Sequence, residues 1–196
     1  AEAFNNPDYS GSYATATGIY VGGDVAGDIT NDGTITARAI NAYAYTSDEG
    51  GDAEAIGIYA SSVSGDITNT GDIIVDAAAT YSDVSAATGI YVESGVSATG
   101  SIINSGSISV DIAAANDNAS GAGIHVDGDM AGLVENSGDI TLTSVVNGYD
   151  ETSFYGIHID TLSGTLTNTN TGTIDVSRTV GSASYSGLVG IDVDTL

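Results

Sequence analysis

Two columns of side chains in this 196-residue chain are of types that do chemistry, and they recur at a near-constant spacing. One runs Tyr20, Tyr59, Tyr91, His125, His158 and Asp192. The other, two residues on, runs Gly22, Ser61, Glu93, Asp127, Asp160 and Asp194. The ring positions fall between apolar residues, as in Ile19-Tyr20-Val21 and Ile157-His158-Ile159. On a strand that alternation turns them outward. If successive repeats stack as neighbouring strands, Glu93, Asp127, Asp160 and Asp194 stand ~5 Å apart. Like charges at that separation disfavour joint ionisation. The carboxylates then splay into water as an acidic face, rise in pKa, or hold cations between turns. Calcium prefers several oxygen ligands in flexible geometry, so it is the ion these four carboxylates suit, with no cofactor otherwise required. His125 and His158, stacked beside Asp127 and Asp160, offer the imidazole and carboxylate set of a transition metal. The row Tyr20, Tyr59, Tyr91, His125 and His158 is also a candidate outward binding strip for sugar rings or a protein. Its plainer reading is that aromatic residues suit strands and stack on their own neighbours.

Other chemistries find no support. Asp28 to Gly33 opens like a calcium-binding loop, but Ala39 stands where its closing Glu belongs. The nonapeptide of calcium-binding β-rolls is missing, since the period here is far longer than nine residues. No Gly-x-Ser-x-Gly elbow occurs. Polysaccharide-cleaving β-helices need Arg or Lys to hold acidic substrates and stabilise developing charge. The only cations here are Arg38 and Arg178. No enzyme is expected. A formal net charge of −24 argues against nucleic acid and against anionic lipid as partners. No apolar run approaches the roughly 18 residues of a membrane helix, so direct membrane insertion is not expected. The chain has no Cys and therefore no disulfide framework. Nor does it open on the charged and then apolar run of a signal peptide, so it reads as mature or internal sequence.

The elements that position these columns are set by a repeat. The pair Gly-Ile recurs at Gly18-Ile19, Gly57-Ile58, Gly89-Ile90, Gly123-Ile124, Gly156-Ile157 and Gly190-Ile191, in steps of 32 to 39 residues. A fixed period of this size signals stacked repeats. Within each repeat the apolar period is two, which is the period of a strand. The first strand contributes Ile19, Ile58, Ile90, Ile124, Ile157 and Ile191 to the core. The second contributes Ile29, Ile67, Ile102, Val134 and Leu166, and the third Ile35, Ile73, Ile108, Ile140 and Ile174. A further apolar column, Val25, Val63, Val96, Met130, Leu162 and Leu196, opens the second strand in this reading. Three short strands per turn, separated by Gly corners, make an all-β parallel β-helix (β-solenoid) of about 34 residues per rung and five to six rungs, as one unit over residues 1–196. The third strand runs long, through Val110, Ile112 and Ala114, and variable loops such as Thr46–Ala55 and Asn147–Phe154 follow it. A helical solenoid is excluded by the period of two and by the abundance of Gly, Thr, Asn and Val.

At the corner after the second strand stands a second polar column, Asn31, Asn69, Asn104, Asn136 and Asn168. Gly33, Gly71, Gly106 and Gly138 follow the first four at two residues. Asn tolerates tight turns and its amide both donates and accepts, so the column reads as a structural asparagine ladder.

The runs GDITNDGTITA at Gly27–Ala37, GDITNTGDIIV at Gly65–Val75 and GSIINSGSISV at Gly100–Val110 resemble the passenger repeats of bacterial autotransporters and related large surface proteins. The resemblance covers nearly the whole chain. It implies export to the surface of a Gram-negative bacterium and an extracellular role in adhesion, aggregation or coat formation. It also implies glycans or proteins of cell surfaces as partners. The membrane barrel that usually follows such a passenger is not in this sequence. Ala1-Glu-Ala-Phe-Asn-Asn6 aligns with Ala37-Arg-Ala-Ile-Asn-Ala42, so the chain opens inside a third strand, and Leu196 falls at the column position of Leu162. The expectation is a solenoid uncapped at both ends, whose partners are other copies of itself or the rest of a longer parent chain.

Overall fold

A computed structural model describes residues 1–5, 13–41, 51–79, 84–114, 118–146, 152–180 and 186–196. Among them there is no helix, and hence none long and apolar enough to cross a membrane. Seventeen strands form three parallel sheets. The first sheet holds β2 (Ala14–Val25), β5 (Ala53–Val63), β8 (Val84–Val92), β11 (Asn118–Met130), β14 (Thr152–Leu162) and β17 (Ser186–Thr195). The second holds β3 (Ile29–Asn31), β6 (Asp66–Asn69), β9 (Ser101–Asn104), β12 (Leu133–Asn136) and β15 (Thr165–Asn168). The third holds β1 (Glu2–Asn5), β4 (Thr34–Asn41), β7 (Asp72–Ala79), β10 (Ser107–Ala114), β13 (Asp139–Val146) and β16 (Thr173–Val180). Each strand pairs with its equivalent one turn away, which is the topology of a β-solenoid.

The registers pair like with like. Ile58 sits between Ile19 and Ile90, Ile102 between Ile67 and Val134, and Ile108 between Ile73 and Ile140. The central members of all three columns are fully buried, and each such side chain contributes roughly 1.5–3 kcal/mol on removal from water. Phe154 and Met130 complete the interior. The opening segment pairs Glu2 with Arg38 and Phe4 with Ile40, so residues 2–5 form a third-sheet strand as expected.

Two features of the local reading are corrected. The first strand is not short: its copies span 9 to 13 residues. Val25, Val63, Met130 and Leu162 therefore close the first strand rather than open the second. The strand carries on through the Gly-rich stretch because bulges absorb an extra residue, between Val21 and Asp24 of β2 and between Val126 and Asp129 of β11. At its other end the first strand starts early, so Ala53–Ala55 and Thr152–Phe154 belong to strands, while residues 46–50 and 147–151 of the expected loops lie outside the described residues.

The signature Gly of the Gly-Ile pair is a packing residue. A methyl group on Gly57, Gly89 or Gly123 would overlap the Cγ2 of Ile73, Ile108 or Ile140, and also the carbonyl oxygen of the equivalent Gly one turn on. The first and third sheets thus approach closely because the third-strand Ile rests on a bare Cα. The corner glycines obey a similar rule: a Cβ on Gly71, Gly106 or Gly138 would overlap the carbonyl oxygen of the corner glycine one turn before. The corners bond between turns, as where the Thr70 N–H donates to the Asn31 carbonyl at 2.8 Å and the Ser137 N–H to that of Asn104 at 2.8 Å. Among the described residues the outermost strands of the three sheets are β1 and β16, β2 and β17, and β3 and β15.

Candidate functional site

The asparagine column is continuous. Each Nδ2 donates to the Oδ1 of the next turn: Asn31 to Asn69 at 2.7 Å, Asn69 to Asn104 at 2.8 Å, Asn104 to Asn136 at 2.7 Å and Asn136 to Asn168 at 2.7 Å. The Nδ2 groups of Asn31 and Asn69 also donate to the Asp72 and Ser107 carbonyls at 3.1 and 3.2 Å. Asn69, Asn104 and Asn136 are fully buried. The amides join the second strand, the corner and the third strand, and no part of the buried column is open to a ligand.

The acidic exterior has its own order. Hydroxyls of one turn donate to carboxylates of the turn before: Ser64 to Asp24 at 2.5 Å, Ser101 to Asp66 at 2.5 Å, Ser107 to Asp72 at 2.6 Å, Ser163 to Asp129 at 2.7 Å and Thr173 to Asp139 at 2.5 Å. Arg38 Nε pairs with Asp76 Oδ2 at 2.8 Å across the third sheet. Neutral Ser and Thr thus do much of the work that Lys would do on a less acidic surface.

On the first sheet the outward row forms one aromatic column. Tyr20 and Tyr59 lie face to face at 4.8 Å and 8°. Tyr59–Tyr91, Tyr91–His125 and His125–His158 follow at 5.7, 5.1 and 4.7 Å with tilted rings. Only the first pair is face to face, and Tyr20 at the end of the column is exposed. The register carries this row on to Asp192.

The four rings after Tyr20 each lie against a carboxylate one turn on, the opposite sense to the hydroxyl pairs. Tyr59 Oη donates to Glu93 Oε2 at 2.7 Å, joined by Ser61 Oγ at 3.3 Å, and Tyr91 Oη donates to Asp127 Oδ2 at 3.3 Å. His125 Nε2 lies 3.9 Å from Asp160 Oδ1. His158 Nε2 lies 3.8 Å from Asp192 Oδ2 and 3.7 Å from Asp194 Oδ1. The bond to Glu93 pushes the Tyr59 phenol up to about 12. Burial, then the Asp127 carboxylate, pushes Tyr91 up to about 12. Burial, reinforced by His158, holds His125 below the usual imidazole value and so keeps it neutral at pH 7. Burial, then the neighbouring Asp127, raises the Asp160 carboxyl.

Among the described residues, two groups bring His, Asp or Glu ligand atoms within 4.8 Å of one another: His125, His158 and Asp160, and His158, Asp192 and Asp194. Glu93 and Asp127, the other members of the acidic column, belong to neither, and their near oxygens accept tyrosine hydroxyls. Beside the histidines lies a cleft of about 190 Å³, lined by Thr88, Ser120, Ser153 and Tyr155.

Tyr155 is the residue that strand alternation misplaces. It stacks on His158 at 4.4 Å and 14°, although it stands three residues away. Strict alternation would send it inward. The strand slips phase at Gly156-Ile157, two consecutive buried positions, so Phe154 is buried and Tyr155 faces out. The same slip is readable in the Gly of every repeat, since the strand registers skip that glycine.

Comparison with protein-family profiles, with curated proteins and with solved structures gave no match.

Proposed function

We propose that this chain is a non-enzymatic structural and adhesive β-solenoid of the bacterial cell surface, built to extend as a filament, coat or stalk. The observation that carries the reading is the in-register stacking of like residues through three continuous parallel sheets. Parallel edges accept another strand of the same kind, so an added turn, from the same chain or from another copy, continues every column. The acidic exterior keeps such a rod soluble and repels nucleic acid and anionic lipid. The likeness of its repeats to autotransporter passengers supports export and cell-surface partners. Display of the chain on a non-adherent bacterial host tests the reading. Autoaggregation or attachment to glycan- or protein-coated surfaces is expected. Cells that stay dispersed and unattached, beside purified protein that degrades an acidic polysaccharide, would overturn it.

The ring and carboxylate array of the first sheet favours a second role, as a binding face. Its histidines and carboxylates bring ligand atoms within 4.8 Å of one another, so it suits an ion.

A further inference from the structure

We propose that His125, His158 and Asp160 form a binding site for a late first-row divalent transition ion, zinc, copper(II) or nickel, on the outer face of the solenoid. This goes beyond the structural role and does not depend on it. The three side chains come from β11 and β14, adjacent strands of one rigid sheet, with His125 and His158 in direct register. Their ring centroids lie 4.7 Å apart with the planes tilted by 38°, and ligand atoms of all three residues lie within 4.8 Å of one another.

The separations fit a shared ion better than they fit direct bonding. His125 Nε2 and Asp160 Oδ1 are 3.9 Å apart, too far for a hydrogen bond. Two ligands on one tetrahedral zinc, with bonds of about 2.0–2.2 Å, sit roughly 3.4 Å from each other. An approach of about half an ångström brings His125 Nε2 and Asp160 Oδ1 to that separation, and the ligand atoms of all three residues already lie within 4.8 Å of one another.

Ligand type decides which ion. Imidazole nitrogens suit zinc, copper and nickel, whereas calcium takes six to eight oxygens. Calcium was the expectation for Glu93, Asp127, Asp160 and Asp194. Glu93 and Asp127 are instead engaged by Tyr59 and Tyr91, and both metal-competent groups contain His158. The second group adds Asp192 and Asp194 on the far side of His158, at 3.8 and 3.7 Å. These carboxylates place further negative charge beside the site. Tyr155 stacks on His158 at 4.4 Å and 14°, which restrains its ring plane. The adjoining cleft leaves room for water to complete the coordination. Around the site is a chain with a formal charge of −24 and two Arg, a field that concentrates cations.

The test is titration calorimetry of the full chain with zinc, nickel and copper(II) chlorides, in the presence and absence of millimolar calcium. One equivalent per chain is expected, because both groups need His158, with affinity unaffected by calcium. His125→Gln, His158→Gln and Asp160→Asn should each weaken binding at least tenfold, and Asp192→Asn should weaken it less. Copper(II) spin resonance should show two coupled nitrogens in the wild type and one in His125→Gln. Equal urea midpoints show that each variant is folded. If His158→Gln does not fold, His125→Gln and Asp160→Asn carry the test alone. No binding of any of the three metals, unchanged affinity in His125→Gln or Asp160→Asn, or displacement of zinc by calcium would each overturn the proposal.

Discussion

Replacing Asn104 by Ala removes the middle of a buried hydrogen-bonded column, and its cost follows from the geometry. Asn104 accepts from Asn69 at 2.8 Å and donates to Asn136 at 2.7 Å, with no solvent exposure. Two such bonds contribute about 1 kcal/mol each, and leaving the Asn136 Oδ1 buried without its donor costs about 1–3 kcal/mol more. The loss should be about 3 kcal/mol, more than a hundredfold in the folding equilibrium. Asn168 is the control. It also accepts from the ladder, at 2.7 Å, but it is exposed, so water replaces what Ala removes and the cost stays under ~1 kcal/mol. Asn104→Asp sharpens the test, because it keeps the shape and loses the donor. A carboxyl buried there has its native pKa raised above the unfolded value near about 3.9. Its protonated form can still donate to Asn136. The variant is therefore most stable below that unfolded value and loses stability as pH rises through its native pKa. Urea unfolding followed by circular dichroism, compared at equal slope, measures all three. The reasoning fails if Asn104→Ala costs no more than Asn168→Ala, or if Asn104→Asp gains nothing in acid.

Gly89→Ala places a methyl group against Ile108 and the Gly123 carbonyl, both of which are held by their sheets, and should cost about 1–3 kcal/mol. Gly190→Ala meets only Ile174 Cγ2 at 3.9 Å and should be tolerated, as a urea series would show. Ultraviolet titration should find Tyr59 and Tyr91 ionising near 12 rather than near 10. Glu93→Gln should return Tyr59 toward its ordinary value, because that bond is the largest cause of its shift. Tyr91 should stay high, because burial is the largest cause of its own. Both phenols hold their proton more tightly when folded. Their contribution is thus complete below pH 10 and lost as pH rises toward 12, so the wild type should weaken over that window and Tyr91→Phe less steeply.

Much of the fold was legible because the solenoid repeats its side chains in register, so a one-dimensional pattern reports a three-dimensional neighbour. Ile58 and Ile90, or Asn69 and Asn104, are neighbours because they hold the same place in the repeat. The part that alternation misses lies where the backbone departs from a regular strand. The phase slip at Gly156-Ile157 hid Tyr155 from the outer face. The bulges after Val21 and Val126 moved the Val25 and Met130 column into the first strand. Arg178 pairs in register with the buried Ser144, on the inward parity of the third sheet, where composition alone suggests an outward charge. The ring and acid columns were both readable. Their diagonal coupling, ring of one turn to carboxylate of the next, was not, because it depends on side-chain reach across the stack rather than on spacing along the chain.

Electron microscopy of the purified chain over a range of concentrations tests the central claim most directly. The account predicts filaments or bundled rods that lengthen with concentration, with an axial repeat of about 4.8 Å in their power spectrum, the spacing of stacked strands. Separate particles of one 19.4 kDa chain at every concentration would contradict it.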